Sequence, residues 1–379
     1  MHILFKRVAS SVIYLRISLC SSPNINVWSK LSIKFFFFKL FLNFGAVISK
    51  NLYQTMRTND EILSLFENYL AQISMPKEPQ LLYEPIIYSM SGGGKRIRPT
   101  LLLLVCEAFG GDAVEALGAA AAVEMFHNFT LLHDDIMDNA DVRRGKASVY
   151  AQWGENVAIL SGDAMMIYTY HLLRKVPEDK LARIMDIFTP MALQVCEGQQ
   201  YDMDFEQRQK VSMAEYMNMI ELKTSVLLAG SAMIGAILGD ASESDCRKIY
   251  NYALELGLAF QLQDDWLDSF GTEEELGKKI GGDILEGKKT CLMQQAMSHA
   301  TEEDREILRS THLDSTLSAD EKIARVKAVY EKYDVPHAIQ RMISTRFERA
   351  IAILDTLDLD SAHTEYLRIY AENLMNRKK

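Results

Sequence analysis

Two clusters of aspartates carry the strongest chemical signal in the sequence: Asp134-Asp135-Ile136-Met137-Asp138 and Asp264-Asp265-Trp266-Leu267-Asp268. On a helix, residues four apart share a face, so Asp134 with Asp138 and Asp264 with Asp268 each turn two carboxylates to one side. Each cluster ends an apolar run, Phe129-Thr130-Leu131-Leu132 before the first and Leu258-Ala259-Phe260 before the second. Packing those helices side by side brings the acids to one rim of a cavity, where, unpaired, they repel. Mg2+ suits such hard oxygen ligands, because it keeps waters and bridges to substrate phosphates. A single cluster in an acidic protein reads equally well as a solvated helix end. Two, each behind an apolar helix, point to a metal site.

A basic constellation complements them: Gly92-Gly93-Gly94-Lys95-Arg96-Ile97-Arg98-Pro99. It is not a P-loop, since Ser89 stands where the first glycine belongs and Arg96 where Ser or Thr must follow the lysine. Glycines before Lys95, with Arg98 three residues on, still form a backbone that lets cations close around a diphosphate. Arg143-Arg144-Gly145 follows the first acidic cluster and puts two guanidiniums close to the proposed metal. A substrate bearing phosphates satisfies both signs of charge. Gly277-Lys278-Lys279-Ile280-Gly281-Gly282-Asp283, with Lys288 beyond, reads as a flexible segment able to close over a phosphate, or as a solvated loop. Other polar residues interrupt apolar helices: His127, Gln199, Asp202, Lys223, Thr224 and Gln261. His127 and His133 share a helical face poorly, which argues against a zinc pair.

The elements that must position these groups are helical. Asn59 is a candidate N-cap, followed by a stripe of Ile62, Leu63, Leu65, Phe66, Tyr69 and Leu70 that stops before Pro76. Residues 112–133 are rich in Ala, 212–237 and 242–268 repeat that apolar character, and 318–333, 337–356 and 360–377 form a more charged amphipathic set. No proline occurs between Pro190 and Pro336. Alternating β-branched runs are scarce, so no sheet is expected. The composition, 48% hydrophobic and 24% charged with 20 Gly and 8 Pro, is that of an ordinary globular protein. No repeat or linker divides residues 56–379, which predicts one all-α domain, a single large helical bundle with its site in a central cavity.

The first 55 residues differ. They contain no Asp or Glu and seven of the 41 Lys and Arg, so the remainder carries 34 basic against 51 acidic residues, a formal −17 where the whole chain has −10. An acidic body argues against a nucleic-acid partner. Lys34, Lys39 and Lys50 cut the apolar runs of this basic extension below the ~20 residues that span a bilayer, so no transmembrane segment is expected. The extension reads as an organelle-targeting segment or as sequence upstream of a true start at Met56, with the latter favoured and a cytoplasmic enzyme expected. Five widely spaced cysteines, Cys20, Cys106, Cys196, Cys246 and Cys291, have neither a disulfide pattern nor metal-ligand spacing.

Taken together, the motifs resemble the polyprenyl synthetase family, which includes farnesyl and geranylgeranyl diphosphate synthases. The resemblance runs from about Met56 to the C-terminus. It rests on Gly93 to Pro99, on Asp134 to Gly145, on Gly198 to Asp202, on Lys223-Thr224, on Phe260 to Asp268, and on Gly277 to Asp283. It implies the helical bundle of isoprenoid synthases and the condensation of isopentenyl diphosphate with an allylic diphosphate. It further implies that Lys95, Arg98, His127 and Arg144 hold isopentenyl diphosphate. Arg143, Lys223, Thr224, Gln261, Lys278 or Lys279, and Lys288 then contact the allylic diphosphate. Asp134, Asp138 and Asp264, with Asp268, ligate magnesium, supported by Gln199 and Asp202, and roughly three Mg2+ ions gather once substrate is bound. The carbonyl of Lys223 and the hydroxyl of Thr224 face the allylic cation. The family is usually homodimeric.

Two rival readings share part of the pattern. A class I terpene cyclase ionises a prenyl diphosphate with one acidic cluster, but it needs neither Asp264 to Asp268 nor Lys95 and Arg98. A non-catalytic subunit of a heteromeric synthase is expected to have lost acidic positions, and all six aspartates stand. Product length is expected to be C15 or C20. A growing tail leaves the metals along the helix that precedes Asp134, where Phe129 and, one turn deeper, Phe126 form a floor. An aromatic at the position of Phe129, an uninterrupted acidic cluster and the non-aromatic Thr130 resemble the geranylgeranyl type, which leans the expectation toward C20.

Overall fold

The structure, a computed structural model, describes residues 56–272 and 279–376. The N-terminal extension expected over 1–55, and Lys278, lie outside the described residues.

The N-terminal half is built from α1 (Asn59–Gln72), α2 (Gln80–Ser91), α3 (Ile97–Ala108), α4 (Ala113–Met137), the short α5 (Val149–Trp153), α6 (Glu155–Leu173) and α7 (Glu178–Gln207). There follow α8 (Met213–Ile220), a π turn over Glu221–Ser225, α9 (Val226–Leu238) and α10 (Glu243–Phe270). The remainder comprises α11 (Gly282–Glu286), α12 (Cys291–His299), α13 (Glu302–Ser310), α14 (Ala319–Lys332), α15 (Val335–Leu354) and α16 (Ser361–Asn376). The all-α expectation holds for the described residues with one exception. A two-stranded antiparallel ribbon pairs Val142 with Ala147 and Arg143 with Lys146. Its turn needs positive φ at both central residues, and Arg144 (53°) and Gly145 (74°) supply it. The scarcity of β-branched alternation could not reveal so short a ribbon.

Helix boundaries moved for local reasons. Thr58, not Asn59, caps α1, and it exchanges hydrogen bonds with Glu61 in a capping box. α15 begins at Val335 rather than 337, because Pro336 sits in the first turn, where its missing N–H costs nothing. The run expected over 212–237 is interrupted by the π turn.

Leu101 to Leu104 of α3 are all 0% exposed, and α9 is buried along its whole length. These two helices, wrapped by α4, α7 and α10, form the centre of the larger of two apolar cores. α10 joins both cores, with Tyr252 and Leu256 in the first and Leu258 and Leu262 in the second. That double anchorage fixes the end of α10 that carries Asp264. By length and composition Met213–Leu238 is apolar enough to cross a membrane, but 72% of its apolar window is buried inside the protein. It serves as a core helix.

Candidate active site

The last turn of α4 and the last turns of α10 face one cavity of about 890 Å3, into which Asp134 and Asp264 both look. Lys95, Arg98, His127, Arg143 and Arg144 line it from the basic side, and Gln199, Lys223, Thr224, Gln261 and Phe129 from the others. The size suits a drug-sized or prenyl-sized ligand. Asp138, Asp202, Asp268, Lys279, Lys288 and Phe126 do not reach its lining.

The two adjacent arginines diverge because Arg144 sits at positive φ. Arg143 turns to the acids: its Nε donates to Asp135 at 2.7 Å and its Nη2 to Asp134 at 3.4 Å. Arg144 turns the other way, donating to the carbonyl of Gly93 and, at 3.5 Å, to Asn128 Oδ1. Its guanidinium lies where a side chain at Gly94 would be, 2.9 Å from that virtual Cβ.

Arg98 Nη1 lies 3.2 Å from His127 Nε2. A guanidinium can only donate, so Nε2 accepts and the proton of the neutral ring sits on Nδ1. Burial, then the charges of Arg98, Arg144 and Arg143, hold the His127 pKa well below its ordinary value. His127 thus adds polarity without adding charge beside three guanidiniums.

On the acidic side, Lys223 Nζ bonds Asp202 at 2.6 Å and Asp134 at 3.4 Å. Burial opposes its charge, but Asp134 and Asp202 more than offset that and leave its pKa raised. Lys223 and Thr224 occupy the π turn, a bulge that recurs at functional sites. Gly198 of α7 makes the bulge possible, since a Cβ there would lie 2.2 Å from the Lys223 nitrogen. Thr224 Oγ1 donates to Gln261 Oε1 at 3.1 Å, joining the π turn to α10. Gln199 points its amide at Met137 Sδ, 3.7 Å away.

Magnesium fits this donor set. The acids supply hard oxygens, and among the described residues no three Asp, Glu, His or Cys side chains form a ready-made cage. That matches an ion held by one or two carboxylates, its own waters and substrate phosphates. Burial, then the like charge of Asp134, raises the Asp138 pKa. A divalent cation held by these carboxylates would relieve that repulsion.

Several expected residues stand at the margin. Asp268 is 1% exposed, and its Oδ2 accepts the N–H of Asp283 at 3.0 Å, so it props the turn that starts α11. Lys288 bonds Glu286 at 2.8 Å and contributes its charge to Asp138. Lys279 is exposed. Phe126 is fully buried behind Phe129, with ring centroids 5.6 Å apart, and packs on Phe188 at 5.4 Å. Phe129 alone of the two meets the cavity, so the expected two-ring floor is one ring backed by another.

Other residues escaped the sequence reading. Arg96, at φ 45°, sends its guanidinium inward to Glu124 at 2.7 Å, Glu67 at 2.8 Å and the Met90 carbonyl at 2.8 Å. Glu124 also accepts from Asn128 at 3.2 Å. Loop 92–96 is thereby tied through α4 to the Arg144 turn. Glu124 and Asn128 interrupt an apolar run, as His127 does, and the same signal would have found them. The middle acids are structural as well as electrostatic. Asp265, buried, accepts from the Tyr216 hydroxyl, from Cys291 N at 3.1 Å and from Gln261 at 3.1 Å, which locks α8, α10 and α12 together.

A family model described as Polyprenyl synthetase matches residues 79–333. A short chain isoprenyl diphosphate synthase of Methanothermobacter thermautotrophicus is 37% identical over 302 residues, 79% of this chain and 91% of that protein. A crystal structure of a geranylgeranyl pyrophosphate synthase superposes with a TM-score of 0.81 at 41% identity, covering 86% of this chain and 100% of the other. Another, from Corynebacterium glutamicum in complex with isoprenyl diphosphate and magnesium, gives 0.73 at 26% identity over 84% of this chain and 97% of its own.

Proposed function

Because this chain belongs to the polyprenyl synthetase family, we propose that it condenses isopentenyl diphosphate with allylic diphosphates and stops at the C20 product. The family reaction is a magnesium-dependent prenyl transfer. The observation that carries the reading is the single cavity onto which Asp134, Asp264 and the cations Lys95, Arg98, Arg143, Arg144 and Lys223 converge.

In this reading Lys95, Arg98 and Arg144 grip the isopentenyl diphosphate, and the neutral His127 orients Arg98. Arg143, Lys223 and Lys288, with Lys278 or Lys279, hold the allylic diphosphate between them and the acids. Asp134, Asp138 and Asp264, with Asp268, would hold the magnesium, supported by Asp202 and Gln199, with roughly three ions expected once substrate is bound. Bound magnesium supplies Lewis-acid charge that favours departure of the diphosphate. The cations of the chain stabilise the same developing charge from fixed positions, without reorganising as the bond breaks. The Lys223 carbonyl and the Thr224 hydroxyl, oriented by Gln261, face the allylic carbons. The second substrate's double bond then attacks, and a proton leaves to the departed diphosphate.

The apolar wall supports C20 as the limit. Phe129 lines the cavity from a position five residues before Asp134, and Thr130, also in the lining, adds no second ring. A homodimer fits the outer face of α6, where Ile159, Leu160 and Ile167 are 40%, 60% and 72% exposed. A cytoplasmic enzyme is part of the same reading, and the burial of Met213–Leu238 in the core means only that this helix is not a membrane span.

The test is incubation of the purified chain with Mg2+, isopentenyl diphosphate and farnesyl diphosphate, followed by chromatography of the dephosphorylated products. A C20 alcohol is expected. A hydrocarbon formed without isopentenyl diphosphate marks a cyclase, and absence of any turnover marks a non-catalytic subunit; either overturns the reading.

A further inference from the structure

His133 and Gly162 meet where α4 crosses α6. His133 Nε2 lies 3.2 Å from the carbonyl oxygen of Ile159, which can only accept, so Nε2 carries the ring proton and points at α6. A Cβ built on Gly162 would lie 2.2 Å from that Nε2 and 2.5 Å from Cδ2. The imidazole therefore fills the volume that any other residue at 162 would need. Its other side meets Phe129 edge-on, with ring centroids 4.8 Å apart. Both Phe129 and His133 line the cavity. Behind Phe129 the aromatic packing continues through Phe126 and Phe188 to Tyr170, at centroid distances of 5.6, 5.4 and 5.8 Å. A displaced imidazole cannot retreat into α6 or into that stack. The cavity, which the ring lines, lies open to it, as does the side of the exposed Asp163, whose carboxylate is 4.0 Å from Nε2.

We infer that Gly162 is a specificity-determining residue for product length, acting by letting His133 lie back against α6 and so keeping open the hydrocarbon end of the cavity. The inference rests on the prenyl-elongation reading. It makes length depend on a contact between two helices, beyond the side chain of Phe129. Any side chain at 162 drives the ring inward and narrows the space for the tail. Removing the ring widens that space, and removing it in the presence of the new side chain restores the balance, which is the coupling expected of two residues in contact.

The experiment compares wild type, Gly162→Ala, His133→Ala and the double variant with Mg2+, isopentenyl diphosphate and each allylic substrate, by chromatography of the dephosphorylated alcohols. Gly162→Ala is expected to raise the ratio of C15 to C20 product by about tenfold or more. His133→Ala is expected to shift product at least one five-carbon unit longer. The double variant is expected to return toward the wild-type distribution. An unchanged ratio in Gly162→Ala with turnover still measurable, or a double variant as short as Gly162→Ala, overturns the inference. Where Gly162→Ala fails to fold by circular dichroism, His133→Ala decides alone, and an unchanged product length overturns it. Absence of any prenyl product from the wild type is the separate failure of the underlying reading.

Discussion

Arg96 Nη1 and Glu124 Oε1 form an ion pair of 2.7 Å inside the protein, with their side chains 2% and 3% exposed. The pair pins to α4 the loop that carries Lys95 and leads into Arg98 in the first turn of α3, and it holds Arg96 in a left-handed backbone conformation that its side chain alone would not choose. Replacing Glu124 by Gln leaves a buried guanidinium with only Glu67 for a charge partner. Unmaking one half of such a pair costs about 3–5 kcal/mol where nothing compensates. We expect a lower melting temperature and a KM for isopentenyl diphosphate raised about tenfold or more, with the allylic KM little changed. Lys95→Ala should show the same substrate selectivity. Steady-state kinetics with each substrate varied in turn checks this; a Glu124→Gln variant that raises both KM values equally contradicts the positioning role.

Gly198→Ala inserts a methyl 2.2 Å from the Lys223 nitrogen, against backbone that cannot swing aside. Overpacking of this kind costs about 1–3 kcal/mol, and here it also displaces the π turn that holds Lys223 and Thr224. Denaturant unfolding should show the stability loss. The kcat should fall further than a comparable loss of stability elsewhere would cause, and a normal kcat would dissociate the π turn from turnover.

Phe129 and Phe126 are expected to behave differently, although both are aromatics on one helix. Phe129 meets the cavity, so Phe129→Ala should lengthen the product by at least one five-carbon unit. Phe126 is sealed between Phe129 and Phe188, so Phe126→Ala should cost about 3–5 kcal/mol of stability as a core deletion. Product chromatography and thermal unfolding of the two variants separate these roles. Unchanged product from an active Phe129→Ala means that another residue sets the length.

Much of this site could be read in the sequence because its chemistry is local. Asp134 and Asp264 announce themselves by spacing and by the apolar runs before them, and Lys95 and Arg98 by their glycines. Side-chain direction is not local. Nothing in Asp264-Asp265 tells which carboxylate looks into the cavity and which locks onto Tyr216 and Cys291, because both partners are distant in the chain. The opposite headings of Arg143 and Arg144 depend on one positive φ in a turn of two residues. The π turn at Glu221–Ser225 is set by the close approach of Gly198, a tertiary fact that helix periodicity does not record. The helical class, by contrast, follows from periodicity alone, and the capping box at Thr58 shows how near the boundary reading came.

A chain beginning at Met56 is expected to fold and turn over as the full chain does, since the first 55 residues contain no acid and none of the motifs. Met56 itself is 5% exposed in the larger core, so truncation beyond it should destabilise the bundle. Melting temperature and specific activity of the two chains check this, and loss of either on removing 1–55 assigns the extension to the catalytic unit.

The central claim is that the acidic ends of α4 and α10 act on one substrate diphosphate. Its most direct measurement is the rate of labelled isopentenyl diphosphate incorporation by wild type, Asp134→Asn and Asp264→Asn, each with saturating Mg2+ and with the metal chelated. We expect kcat to fall by about a hundredfold or more in each variant, and wild-type turnover to vanish on chelation and return with Mg2+. A near-normal rate in either variant, or turnover that survives chelation, would contradict it.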